Sequence, residues 1–223
     1  IGGSMIGDVE FKFALVGSRE ASVFDCEALE EAAVELMELG ARGESGGAPG
    51  PDTALTNAIL RLMTDTGMEG WSFGSIHLPW DGFNDLRKGD IGGACIVNNG
   101  SDICKFATII AKVARGGFYG LGRGGSSLHS RNPYQILGAD LLSPVNVVVT
   151  SAPFTNRGKV TGGTGTACAI ANAMEIPVIN LQKPHGFEQL ESLIEGLKNP
   201  PAGWKGAIRI TREEPTKVQL IGE

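Results

Sequence analysis

The sequence lacks the spacings that hold a structural metal. Cys26, Cys95, Cys104 and Cys168 are scattered with no Cys-x-x-Cys pair, and His77, His129 and His185 stand far apart. None of these histidines lies at a ligand spacing from a cysteine or carboxylate, so no zinc site is expected. Cys26 and Cys168 fall inside helical patterns and read as small buried hydrophobes. A signal-peptide pattern is missing, as is an apolar run long enough for a bilayer; both point to a reduced, cytoplasmic chain and away from a membrane one. Basic runs are missing too. With 25 Asp and Glu against 19 Lys and Arg, the net charge is -6 and the pI about 5.2. Affinity for a nucleic-acid backbone comes from Lys and Arg displacing counterions, so nucleic acid is an unlikely partner on charge alone. There is no internal repeat or low-complexity tract, and nothing requires a cofactor. Ile1-Gly2-Gly3-Ser4 before Met5 reads as a cloning scar, so residues 5–223 are taken as one domain.

What the chain has in abundance is glycine, at 33 residues roughly twice the usual share of about 7%. The most informative cluster is Gly162-Gly163-Thr164-Gly165-Thr166, a turn that opens into the small-residue helical stretch beginning Ala167-Cys168-Ala169. Amides at a helix N-terminus are unpaired, and the helix dipole adds partial positive charge there. Glycines let an anion approach the backbone, and threonines add donors. No Lys follows the last glycine, so this is not a P-loop, and the glycine spacing is not that of a dinucleotide fingerprint. A plain strand-to-helix turn capped by Thr164 or Thr166 is the competing reading.

Apolar runs and helical periodicities alternate along the chain. Strands are expected at 11–16, 41–45, 71–78, 145–149 and 176–180. Helices are expected at 25–39, 52–66, 102–115, 128–137 and 187–197, with Asp52 as a helix N-cap. The stretch 116–127 reads as a glycine-rich loop, and 84–101 resists assignment, suggesting a loop or hairpin insertion. Residues 207–211 and 217–221 suggest a terminal hairpin added to one edge. This order predicts an α/β, Rossmann-like, doubly wound and mainly parallel sheet. Ligands of such sheets sit beyond the carboxyl ends of the strands. Three glycine-bearing loops reach those ends: Gly17-Ser18-Arg19, Ser45-Gly46-Gly47-Ala48 and Gly162 to Thr166. Their convergence points to a small anionic ligand.

These three segments resemble the SLOG superfamily, which includes the lonely-guy cytokinin-activating enzymes and the DNA-processing protein A family. Leu78-Pro79-Trp80-Asp81-Gly82-Phe83-Asn84, the run Leu128 to Gly138 and the Gly162 turn together are similar to a group of bacteriophage members, over 11–181. The resemblance implies a nucleotide-derived ligand with phosphate on Gly162 to Thr166, the cytoplasm of a host cell, and a homo-oligomer, of which a dimer is the plainest form. Leu128-His129-Ser130-Arg131-Asn132 resembles the Met-His-x-Arg-Lys element of the lonely-guy enzymes, which would give Arg131 the place of their functional arginine. Capping or pairing at a helix start is the other reading of that residue. Cys168 and Ala169 stand where those enzymes carry paired glutamates, so no catalytic residue is assigned.

The ligand-binding residues expected are therefore Gly17, Ser18, Arg19, Gly46, Gly47, Arg131, Gly162, Gly163, Thr164, Gly165 and Thr166. Glu20, Glu44, Asp52, Asp81 and Asp140 are weighed as replacement carboxylates without one being chosen. Trp80 and Phe83 are read either as base-stacking rings or as core and lid aromatics. Ser126, Ser127 and His129 have no G-x-S-x-G context, so a hydrolase triad is not expected. Nucleotide binding, as a sensor or sequestering protein, is the leading expectation. N-glycosidic hydrolysis of a nucleoside monophosphate or NAD-like substrate comes second, and single-stranded DNA binding third.

Overall fold

The computed structural model describes residue 6 and residues 10–98 and 102–222. The presumed scar at 1–4 lies outside these. Six parallel strands form one sheet in the order β4-β3-β2-β1-β5-β6. They are β1 (Lys12–Gly17), β2 (Arg42–Ser45), β3 (Gly74–Leu78), β4 (Cys95–Val97), β5 (Val147–Ser151) and β6 (Val178–Asn180). Helices α1 (Val23–Glu38), α2 (Pro51–Thr66) and α6 (Gly186–Lys198) cover one face, and α3 (Asp102–Arg115), α4 (Arg123–Leu137) and α5 (Gly162–Ala173) the other. The expected doubly wound α/β architecture is what the chain adopts.

Burial on both faces explains the continuous apolar runs. In β1, Phe13 and Leu15 join the core under α1 and α2, while Ala14 and Val16 join the core with Ile136 of α4 and Ala167 and Ile170 of α5. The small residues on the second face let α5 lie close to β1. Helix α1 follows its periodicity, burying Leu29, Ala32, Ala33 and Leu36. Ser22 caps it by accepting from the Asp25 amide at 3.0 Å. At its other end the Ala41 amide returns to Leu36 and the Gly40 amide to Met37, a Schellman closure that needs Gly40 at φ +105°.

Four elements differ from the sequence reading. Helix α4 begins at Arg123, so the glycine-rich stretch is half helix and Pro133 lies inside the helix rather than near its start. Residues 70–72 form a 3₁₀ turn, and β3 starts only at Gly74. Within the unassigned 84–101 stretch, Cys95–Val97 is a parallel edge strand on β3, while residues 99–101 lie outside the described residues. The terminal hairpin, β7 (Ile208–Ile210) and β8 (Val218–Leu220), forms its own antiparallel sheet against α6, where the Val218 amide donates to Ser192 Oγ.

The chain leaves β1 toward β4 at one edge, then returns to β5 on the other side of β1. That reversal separates the α1-side and α5-side connections and opens a crevice at the carboxyl ends of β1 and β5.

Candidate functional site

The crevice is a cleft of about 410 Å³. One wall is the first turn of α5. The glycine–threonine segment is not a loop before the helix but its first turn, with Thr161 at the cap position. Thr161 makes no capping bond; its hydroxyl donates to the Pro153 carbonyl instead. Thr164 and Thr166 lie inside the helix, so neither is the cap that a plain turn would use. The first intrahelical amide is that of Gly165, which returns to Thr161 at 3.3 Å. The amides of Gly162, Gly163 and Thr164 precede it and find no acceptor among the described residues, as first-turn amides must unless capped. Gly162 takes φ +69°, and a Cβ on Gly162 or Gly163 would meet nothing within 4 Å. The space before these donors is open.

The facing wall is α4, which presents Leu128, Arg131, Asn132 and Gln135 to the cleft. This i, i+3, i+4, i+7 spacing is a single helical face. Asn132 ties the walls together, its Nδ2 donating to the Gly163 carbonyl at 3.1 Å. His129 also lines the cleft, its Nδ1 lying 2.8 Å from Thr166 Oγ1. Burial, with the charges of Arg115 and Arg131, holds the His129 pKa below its ordinary value.

Under the cleft lies Asp52, at the second position of α2 behind Gly50 and Pro51. It is not the N-cap expected of it. Its carboxylate accepts from the amides of Gly17, Gly46 and Ala48 at 3.3, 3.2 and 3.4 Å. It also pairs with Arg131, whose Nη2 is 3.7 Å away, and both side chains are buried. Burial holds the Asp52 pKa above its ordinary value, against the smaller opposing pull of Arg131 and the three amides. Arg131 donates further to the Gly46 carbonyl and lies over the Phe83 ring, 5.8 Å from its centroid. One buried carboxylate thereby joins the β1 loop, the β2 loop and α4 into a single base.

Seven of the eleven expected binding residues line this cleft: Gly17, Ser18, Arg19, Arg131, Gly162, Gly163 and Thr164. The other four turn elsewhere. A Cβ on Gly46 would lie 2.2 Å from the Arg131 guanidinium carbon. Gly47 needs φ +66° among Ile76, Leu78 and Leu86. Gly165 packs on the Val160 carbonyl, and Thr166 is buried beneath His129. Gly17 serves packing as well, because a Cβ there would strike Pro51 Cγ at 2.2 Å. The sequence reading missed Asn132 and Gln135, which the helical spacing from Arg131 would have found.

Of the carboxylates weighed as replacements, Glu20 and Asp52 line the cleft. Glu44 is buried beside His77, 2.8 Å from its Nε2. Asp81 and Asp140 accept from local backbone amides away from the cleft. Cys168 is buried, and burial pushes its thiol up to about 12. Trp80 and Phe83 pack edge to face with centroids 5.0 Å apart; Phe83 is core, and Trp80 is partly exposed outside the cleft. No cluster of three or more metal-ligating side chains occurs among the described residues, and none of their helices is long and apolar enough to cross a membrane.

No protein-family model matches the chain, and comparison with the curated proteins gives no match either. Among solved structures it is similar to DNA processing protein A from Helicobacter pylori, a structure described for its single-stranded DNA binding mode. Identity is 17% and the TM-score 0.49, over 86% of this chain and 75% of that one. A likeness that distant says nothing of what this chain binds.

Proposed function

We propose that this chain binds a nucleotide or nucleotide-derived small molecule, with a phosphate seated on the first turn of α5. The observation that carries the reading is the set of three uncapped amides, Gly162, Gly163 and Thr164, opening onto an unfilled cleft. Their dipole and their donors both favour an anion. Arg19 at the rim adds a full positive charge, and the cleft volume falls within the range of small-molecule pockets.

Binding without turnover is the form we favour, as a sensor or sequestering protein. N-glycosidic hydrolysis needs a carboxylate to steady the ribose cation or to position water. Asp52 already accepts three amides and pairs with Arg131, and Glu20, the other carboxylate lining the cleft, is solvent-exposed. We propose a second copy of the chain as partner for α3, which leaves Ile103, Phe106, Ile109 and Val113 exposed along one side. Sedimentation velocity of Phe106→Glu beside the wild type tests that point.

Native mass spectrometry with a nucleotide panel, followed by chromatography of the products, tests the main reading. An intact nucleotide retained at one per cleft is the expected result. Free base with ribose phosphate would move the chain to the hydrolases. Retention of a single-stranded oligonucleotide, with no mononucleotide held, would replace the proposal with a nucleic-acid one.

A further inference from the structure

Helix α4 has a second lined face. Beyond Arg131, on the side away from the α5 cleft, lies another cavity of about 420 Å³ between α3, α4 and the end of β3. Arg131 lines both cavities and is the ridge between them. The new cavity differs from the first in charge. Lys112, Arg123 and Arg131 line it, and none of the described residues in its wall is acidic. Asp52 balances Arg131 from the far side, so on a chain of net charge -6 the excess positive charge of this cavity is that of Lys112 and Arg123, a local exception.

Its polar wall is equally one-sided. Ser126, Ser127 and Ser130 project from successive turns of α4, and Thr108 faces them from α3, with Thr108 Oγ1 3.1 Å from Ser130 Oγ. Two deeply buried groups in the wall are unsatisfied. The Arg131 Nε has no hydrogen-bond partner among the described residues. The Tyr134 hydroxyl is buried with only the weak Cys104 thiol beside it. A buried donor left unpaired is costly, and native proteins keep few of them without a use. The Tyr134 ring is also held in place: it stacks on His77, whose nitrogens are tied to Glu44 and Asn98. Phe118 at the mouth supplies an apolar surface beneath Lys112.

We infer that this cavity is a second anion site, which takes a phosphorylated group through Lys112 and Arg123 with the Tyr134 hydroxyl as a fixed donor. Exposed cations gather the anion at the mouth, and the serine row with Tyr134 replaces its water inside. Hydroxyls in a row suit a phosphate or a polyol phosphate better than a flat base. The site is separate from the α5 turn and does not depend on that turn binding anything.

Titration of ¹⁵N-labelled protein with inorganic pyrophosphate tests it. The expected result is saturable shifts of amides at 104–112 on α3, which lines only this cavity, with a midpoint distinct from that at 161–165. Lys112→Gln with Arg123→Gln should weaken the first set at least tenfold and leave the second in place. Tyr134→Phe, which keeps the ring, should weaken the first set about threefold. Gly163→Pro should do the reverse, weakening 161–165 alone, so failure at the α5 turn is read apart from failure here. Shifts at 104–112 that are absent, that never saturate, or that survive unchanged in the double variant would overturn the inference.

Discussion

The Arg131 guanidinium and the Asp52 carboxylate lie 3.7 Å apart, both buried, and the pair joins α4 to α2 beneath the cleft. Three amides complete the carboxylate, and the Gly46 carbonyl takes a further Arg131 hydrogen. Arg131 is therefore structural as well as ligand-facing. Removing it strands a buried carboxylate, a loss of about 3–5 kcal/mol for buried pairs broken on one side.

Arg131→Ala is accordingly expected to lower the urea midpoint sharply. Arg131→Lys is expected to fall between, since an ammonium cannot reproduce the planar fork that reaches Gly46 and Asp52 together. Equilibrium unfolding of the two variants checks this. A midpoint unchanged in Arg131→Ala would mean that the pair contributes nothing to holding the walls.

Two glycines at the cleft should respond in opposite ways. Gly17→Ala forces a methyl against Pro51 and is expected to cost about 1–3 kcal/mol of stability, the usual range for overpacking. Gly163→Ala places its methyl in open space on a helix, where alanine is favoured over glycine by about 0.5–1 kcal/mol. It should leave stability equal or higher while reducing nucleotide affinity. Thermal melts beside calorimetric titration separate the two effects.

Much of this arrangement could be read in the chain, and what could not has a physical cause. Local patterns carried α1, through Leu29, Ala32, Ala33 and Leu36, and the buried strand β1. The first turn of α4 was hidden because Gly124, Gly125, Ser126 and Ser127 have poor helix propensity; packing against α3 and α5 holds it. Strand β4 is three residues long, too short to show a period. The local pattern at Asp52 suggests a cap because only Gly46 and Ala48 among its carboxylate's partners are near in sequence, while Gly17 lies 35 residues away and Gln135 lies 83 away. Cleft residues on α4 were half visible, since Arg131 marked the face but its neighbours Asn132 and Gln135 carry no signature of their own.

His129 gives the pH dependence. Its pKa in the folded chain lies below the ordinary value of 6.5, chiefly through burial. Between the two values the unfolded chain binds more protons than the folded one, so stability rises with pH there. His129 thus costs nothing above about pH 7, and stability falls as pH drops through 6.5 and on through the folded pKa. Urea unfolding at a series of pH values should show this acid-side loss in the wild type. His129→Gln should flatten that part of the curve, and an identical slope in the variant would assign the loss to other groups.

The amides at the mouth of α5 are tested most directly by Gly163→Pro. Gly163 is the second residue of the helix, where proline is accepted and removes a single N–H. A hydrogen bond to a charged group contributes about 1.5–3 kcal/mol, so calorimetry should show nucleotide affinity down by roughly ten- to a hundredfold with the melting temperature preserved. Affinity equal to that of the wild type in the folded variant would contradict a phosphate seated on that turn.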